Sequence, residues 1–243
     1  MSSPAVLKKP LKLACIQLAS GADKAANLKH AADQVAKAAS GGSKLVVLPE
    51  CFNSPYGTDY FPQYAETLLP SPPSEEQAPS YHALSRIASD NKVYLVGGSI
   101  PEFNPSTKKY HNTSLIFGPD GRLLATHRKV HLFDIDIPGK ISFHESDVLS
   151  PGNQITLVDL PDPARDLDAS YHAYGHTLVV DPMAQVLDEA EAEEAIIQVE
   201  LVDEKLAETR RNIALNTQRR FDVYPDVSKG KIQFEDPDLE TPK

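Results

Sequence analysis

The stretch L-K-L-A-C-I-Q-L, Leu11–Leu18, decides the fold class together with the apolar run K-L-V-V-L-P at Lys44–Pro49. Both runs are short and apolar, as buried strands are. Between them apolar residues recur at spacings of three and four until Gly41 and Gly42, which are expected to end a helix. This apolar stripe comprises Ala25, Leu28, Ala32, Val35 and Ala39. A strand, a helix and a strand in this order predict an α/β domain in which helices cover a sheet.

The same alternation continues along the chain and then gives way to hairpins. After a proline-rich loop at 70–79, the spacing of Tyr81, Leu84, Ile87 and Ala88 predicts a second helix. Gly118–Gly121 predicts a hairpin turn between two strand-like runs, and 181–184 predicts another. The predicted strands are Lys92–Gly97, Tyr110–Phe117, Arg122–Val130, Gln154–Leu160, His176–Val180, Gln185–Leu187 and Ala195–Val199, and a last helix is predicted at Asp203–Ile213.

Length and composition indicate one domain, residues 1–224, followed by a charged, proline-containing tail at 225–243. The formal net charge is -10, so a basic surface for nucleic acid or an anionic membrane is not expected. Leu11–Leu18 is too short for a signal peptide or a membrane span, and this predicts a cytoplasmic protein, with a mitochondrial pool left open. The two cysteines lie in apolar runs, which predicts reduced thiols and no disulfide.

Three charged residues are candidates for a catalytic role, two at the ends of predicted strands and one before a loop. Glu50 lies at the carboxyl end of a strand, where open α/β sheets place ligands, and can act as a general base. Lys129 lies near the end of the second strand of the first predicted hairpin and is cationic at neutral pH, so it can stabilise an oxyanion. Glu145 precedes a loop that ends at Pro151 and Gly152. Each signal alone also fits a solvated charge at the end of a strand.

Four short sequence motifs follow one another along this chain. They are L-P-E-C-F at 48–52, H-R-K-V-H-L-F-D at 127–134, F-H-E-S-D-V-L-S-P-G at 143–152 and P-A-R-D-L-D-A-S-Y-H-A-Y-G-H at 163–176. In this combination the chain resembles the nitrilase superfamily of carbon-nitrogen hydrolases, and its omega-amidase branch in particular, over positions 11 to 224. The resemblance implies an α-β-β-α sandwich and a Glu-Lys-Cys amidase without metal or organic cofactor. In it Glu50 would be the general base, Lys129 would hold the tetrahedral intermediate, and Glu145 would be the second carboxylate.

The nucleophilic cysteine of that family is absent from this chain. The family carries it on a G-x-x-C-Y-D elbow between the third and fourth of these motifs, with an arginine for the substrate carboxylate just after it. Here L-V-D-L-P-D-P-A-R-D-L-D, Leu157–Asp168, runs almost directly from Pro161 to Pro163. The resemblance therefore implies an internal deletion that removes interior strands with their helices. An alternatively spliced product and a misassembled gene model would both give this pattern.

Neither remaining cysteine is expected to replace the nucleophile. Cys51 is adjacent to Glu50, and neighbours on an extended chain point to opposite faces. Cys15 lies in the middle of an apolar run, where a thiol is usually a small buried hydrophobe. Strands left without partners would expose backbone groups and apolar faces, which predicts a marginal or partner-dependent fold.

Two further groups of residues, the paired histidines and the residues after the junction, have ordinary explanations. His127 and His131 are four residues apart, as are His172 and His176, but neither pair lies on a predicted helix, so ordinary histidines are favoured over a metal site. Arg165, Tyr171 and His172 follow the junction and receive no chemical role beyond a structural one.

By descent the chain is expected to be an omega-amidase-like hydrolase. That branch releases ammonia from the terminal amide of dicarboxylate monoamides such as alpha-ketoglutaramate and alpha-ketosuccinamate, and its members are usually dimers. This chain itself is expected to be inactive or severely impaired. The alternative is a non-catalytic subunit that pairs with an intact paralogue and modulates it.

Overall fold

A mixed sheet organises the computed structural model, which describes residues 10–137, 141–158, 160 and 175–212. The strands are β1 Leu11–Gln17, β2 Leu45–Val47, β3 Tyr94–Val96, β4 Ile100–Asn104, β5 Lys109–Phe117, β6 Leu123–Arg128, β7 Asp134–Ile137, β8 Ile141–His144, β9 Leu178–Val180, β10 Val186–Glu189 and β11 Ala195–Leu201. Seven of them, β1 to β6 and β11, form one sheet, and β7–β8 and β9–β10 are two-stranded. Strands β1, β2 and β3 run parallel, whereas β11 and β5 pair with them antiparallel on either side.

Four helices accompany the strands: α1 Lys24–Ser40, α2 Phe61–Tyr64, α3 Pro79–Asn91 and α4 Asp203–Asn212. The side chain of Asp23 caps α1 by accepting a hydrogen bond from the Ala26 N–H, and the N–H of Gly41 closes its other end. Four of the five predicted apolar residues of α1 pack on the core, Val35 fully buried and Leu28, Ala32 and Ala39 partly buried. Ala25 is exposed, and the buried residues are Asn27, Ala31, Gln34, Val35 and Ala38. On α3 all four predicted positions are buried.

The helices and the hairpin β9–β10 cover opposite faces of the main sheet. Val35 of α1 and Leu84 of α3 pack on the face that carries Val46 and Leu95. On the other face Leu13, Tyr94 and Val199 pack against Val179 and Ala190 of the hairpin region. A helical layer, a sheet and part of a second sheet are therefore present, which confirms the predicted mixed α/β class. Within the described residues, the second sheet of the expected sandwich is represented by this hairpin.

A kink at Gly97 and Gly98 lets β3 and β4 pair one after the other with the same edge of β5, while β6 takes the opposite edge. Gly98 has φ +57°, and a Cβ there would lie 1.9 Å from the carbonyl oxygen of Pro49. Only glycine allows this close approach without strain. The backbone leaving β2 is thereby held against the β3–β4 junction, immediately before Glu50.

The predicted hairpins and most predicted strands are confirmed, but Gln154–Leu160 is not a strand. Residues 154–158 and 160 are outside any strand, and Ile155 and Leu157 are 82% and 81% exposed. Alternating apolar residues favour a strand only where a neighbour supplies backbone partners, and among the described residues this segment has none. Strands β4, β7 and β8 and helix α2 were not predicted.

Some predictions lie outside the described residues, namely the junction at 161–168, the boundary at 224, and the tail at 225–243. Among the residues that are described, none of the helices is both long enough and apolar enough to cross a membrane.

Candidate active site

The three charged residues singled out in the sequence meet in space. Glu50 lies in the turn after β2, Lys129 directly follows β6, and Glu145 begins a short 3-10 turn after β8. The Nζ atom of Lys129 lies 3.0 Å from Oε1 of Glu50 and 2.9 Å from Oε2 of Glu145. One ammonium group therefore bridges two carboxylates whose positions in the chain are far apart.

Glu145 is held rigidly, because its side chain is fully buried and both of its oxygens are occupied. The hydroxyl of Tyr56 donates to Oε1 at 2.5 Å, and the backbone N–H of Phe133 donates to Oε2 at 2.6 Å. Lys129 also lies within hydrogen-bond distance of both oxygens. A carboxylate with all its acceptor sites used is suited to fixing a neighbouring cation and poorly suited to accepting a proton.

Glu50 is arranged differently, with one oxygen occupied and one open. The side-chain amide of Asn112 donates to Oε1 at 2.6 Å, and Lys129 donates to the same oxygen. Within the described part of the chain, Oε2 of Glu50 receives no hydrogen bond, and the side chain is 25% exposed. Glu50 is thus the carboxylate that can still accept a proton from a bound molecule.

Lys129 is fixed through its backbone as well as its ammonium group. Its N–H donates to the carbonyl of Asn112 at 2.8 Å, and its carbonyl accepts from Gly152 at 2.8 Å. Burial lowers the pKa of Lys129, but the hydrogen bond to Glu145 and the negative charge of Glu50 outweigh it, so the net pKa is raised. The side chain therefore stays cationic at neutral pH, as a group that stabilises an oxyanion must.

Neither cysteine offers a thiolate to this cluster. Cys51 is not in an extended segment, as the sequence argument assumed, but in a turn with φ +49°. Its side chain is only 2% exposed and lies in a small apolar cluster with Phe61 and Leu149. Burial raises the pKa of the Cys51 thiol, and burial raises the pKa of Cys15 to about 11. Both thiols are therefore protonated at neutral pH.

Two residues that complete the cluster were missed in the sequence. Asn112 lies in the polar first half of strand β5 and is 3% exposed, and Tyr56 follows the turn that carries Glu50. A polar amide at an inward position of a buried strand was the available signal, because such a group needs a buried partner. For Tyr56 the sequence contains no comparable signal.

Two of the histidines weighed as metal ligands have ordinary hydrogen-bond partners. His127 contacts the Thr156 hydroxyl from β6, and His176 contacts Glu189. In the described ranges there is no group of three or more His, Cys, Asp and Glu side chains that could hold a metal. Arg165, Tyr171 and His172 lie outside the described residues.

Comparisons with known proteins agree with this fold. The carbon-nitrogen hydrolase family matches residues 12–163. Omega-amidase NIT3 of Saccharomyces cerevisiae is 40% identical, in a match covering 94% of this chain and 99% of that protein. Omega-amidase NIT2 of Homo sapiens is 38% identical, with 88% and 96% covered. The crystal structure of Saccharomyces cerevisiae Nit3, a member of branch 10 of the nitrilase superfamily, superimposes with a TM-score of 0.76 at 36% identity, covering 90% of this chain and 100% of that one.

The alignment with the yeast protein is longer than this chain. It spans 293 residues whereas this chain has 243, so at least 50 of its positions have no counterpart here. The family match, in turn, ends at Pro163. The fold, the cluster of two carboxylates and a lysine, and matches that cover almost the whole length of the yeast and human proteins all agree. The chain belongs to the carbon-nitrogen hydrolases of the nitrilase superfamily.

Proposed function

We propose that this chain descends from an omega-amidase and retains the carboxylate and lysine groups of the site, but hydrolyses dicarboxylate monoamides slowly or not at all. The observation that carries the proposal is the state of the thiols. The chain has two cysteines, Cys51 buried and Cys15 partly buried in a strand, and burial raises the pKa of both thiols, so neither is a thiolate at neutral pH. An amidase of this kind needs a thiolate within reach of its base.

The remaining groups fit the other steps of amide hydrolysis. The open oxygen of Glu50 would take the proton of a nucleophile and return it to the leaving ammonia. The Lys129 ammonium would stabilise the negative oxygen of the tetrahedral intermediate, while Glu145 keeps that ammonium in place. Substrates would be the terminal amides of compounds such as alpha-ketoglutaramate and alpha-ketosuccinamate, in line with the relatives named omega-amidases.

Without a thiol, Glu50 would have to activate water directly. The covalent route divides amide cleavage into two steps with lower barriers, and that route is closed here. Loss of a catalytic nucleophile reduces turnover by several orders of magnitude, to the residual rate that positioned charges provide. The excess length of the yeast match supports the view that a segment with the nucleophile is missing.

The test is release of ammonia from alpha-ketoglutaramate by the purified, folded chain, with the yeast relative assayed in parallel. A variant carrying Glu50→Gln serves as the control for amidase from the expression host. We expect a rate at least a thousand-fold below that of the relative, and unchanged in the control variant. Turnover at the rate of the relative, abolished by Glu50→Gln, would overturn the proposal.

A second candidate function is a non-catalytic subunit. Ile155 and Leu157 are apolar, almost fully exposed and next to the junction, which favours contact with another protein. Co-expression with a tagged, intact omega-amidase tests this function. Recovery of a mixed oligomer with altered turnover would support it, and purification of the tagged enzyme alone would exclude it.

A further inference from the structure

Asn112 makes two hydrogen bonds that connect the separate parts of the charged cluster. Its side-chain Nδ2 lies 2.6 Å from Oε1 of Glu50, and its carbonyl oxygen accepts the N–H of Lys129 at 2.8 Å. Because the partner of the side chain is a carboxylate, the amide nitrogen must be the donor. The residue is 3% exposed and lies inside β5, between β4 and β6.

We infer that Asn112 is a positioning residue of this site, which sets the orientation of the Glu50 carboxylate relative to the Lys129 ammonium. A carboxylate held by a single cation can rotate and exchange its two oxygens. The second donor confines both hydrogen bonds to Oε1, and Oε2 is left open toward any bound molecule. The backbone bond of the same residue places Lys129, so one amino acid governs the separation of base and cation.

Neighbouring residues do not serve this purpose. Thr113, the next residue in β5, is equally buried but donates its hydroxyl hydrogen bond to Glu102. Tyr56 donates its hydroxyl hydrogen bond to Glu145. Among the described side chains, Asn112 and Lys129 are the ones that hydrogen-bond to Glu50.

The ionisation of Lys129 reports on this arrangement without any catalytic turnover. A fixed carboxylate at 3.0 Å favours the ammonium form, so the pKa of Lys129 is raised in part by Glu50. If Asn112 no longer holds Glu50 in place, the carboxylate spends less time beside Lys129. The pKa of Lys129 then falls, and a larger fraction of the side chain is a neutral, reactive amine at a given pH.

The experiment is trace acetylation with acetic anhydride between pH 7 and 11, followed by mass spectrometry of the Lys129 peptide. The exposed Lys108 in the same sample is the internal reference. The variant Asn112→Leu keeps the side-chain volume and removes the donor, and Asn112→Ala is a smaller alternative if that variant does not fold. Thr113→Val is the matched control, since it also removes a buried hydrogen bond from β5.

We expect the Asn112 variants to shift the midpoint of the Lys129 profile downward, with labelling about three- to tenfold faster at pH 8 to 9. Thr113→Val should leave the midpoint unchanged. An equal shift in both kinds of variant, or faster labelling without a change in midpoint, would mean a general loosening and would overturn the inference. The assignment rests on the proposed role of Glu50 as the base. The labelling result is nevertheless independent of ammonia release, so the two can fail separately.

Discussion

At the scale of single residues, Lys129 compensates the charge of Glu145. The carboxylate is fully buried, and Lys129 is the cation that contacts it. Removing one partner of such a pair leaves an uncompensated charge in the protein interior. We expect Lys129→Met to lower the free energy of unfolding by about 2–4 kcal/mol, measured by urea denaturation at pH 7.

The double variant Lys129→Met, Glu145→Gln is the control for this prediction. It removes the charge together with its partner, so it should recover at least half of the lost stability. If the single and double variants are equally unstable, the charge of Glu145 is not the cause.

At the scale of secondary structure, Glu102 joins three adjacent strands. From β4 it accepts hydrogen bonds from Arg128 of β6 and from the Thr113 hydroxyl of β5 between them. Burial raises the pKa of Glu102, but the bonds from Arg128 and Thr113 together outweigh burial and lower the net pKa below its ordinary value of 4.5. The ion pair between Glu102 and Arg128 therefore stabilises the folded state at pH values above 4.5.

This arrangement predicts a pH-dependent effect of Glu102→Gln. A carboxylate with a lowered pKa in the folded state contributes stability above the ordinary value and loses it as the pH falls through the lowered one. We expect the variant to be about 1–3 kcal/mol less stable at pH 7, and the difference to shrink below about pH 4. Urea denaturation at several pH values measures both, and a difference independent of pH would contradict the prediction.

The kink between β3 and β4 leads to a separate prediction for a substitution of Gly98. The positive φ and the close approach to the Pro49 carbonyl leave no space for a methyl group. Gly98→Ala should cost about 3 kcal/mol or more, seen as loss of soluble protein or a lower urea midpoint. Gly21→Ala is the control, because nothing lies within 4 Å of a Cβ at that position. Equal behaviour of the two variants would contradict the close approach.

Elements that local pattern determines were predictable from the sequence. The helix α3 follows from the spacing of its apolar residues, and the turn at Gly118–Gly121 follows from its glycines and proline. The failed strand at 154–158 shows the limit, because the residues have the pattern of a strand but no backbone partner among the described residues. In β7 the alternation places charged residues outward in a short hairpin, and that pattern is too weak to separate from a loop.

The site was predictable in its residues but not in its connections. Glu50, Lys129 and Glu145 were found through the resemblance of local motifs, and the structure brings the Lys129 ammonium within about 3 Å of both carboxylates. Which oxygen of Glu50 is open depends on Asn112, and the burial of Glu145 depends on packing between distant segments. Neither property can be predicted from the local sequence.

At the scale of the whole molecule, the exposed pair Ile155 and Leu157 should control solubility. Exposed apolar side chains beside unpaired backbone promote association. The double variant Ile155→Ser, Leu157→Ser should bind less of the dye ANS and aggregate less at high concentration. Because neither side chain is buried, the free energy of unfolding should change by less than about 0.5 kcal/mol.

Gln154→Ser is the control, since it alters the same exposed segment without removing an apolar side chain. Dye binding and light scattering measure the effect. A double variant that aggregates as readily as the unchanged chain would show that another surface is responsible.

The hydrogen bond from Tyr56 to Glu145 also gives the site an optical signal of its own. The chain contains nine tyrosines and no tryptophan, so its ultraviolet emission comes from phenol rings alone. A phenol that donates to a carboxylate loses excited-state energy through that contact and is dim in the folded protein. Any event that separates the two groups should brighten it, and subtracting the spectrum of Tyr56→Phe isolates this one ring. Occupancy of the charged cluster can thus be followed by intrinsic fluorescence, without a label and without turnover.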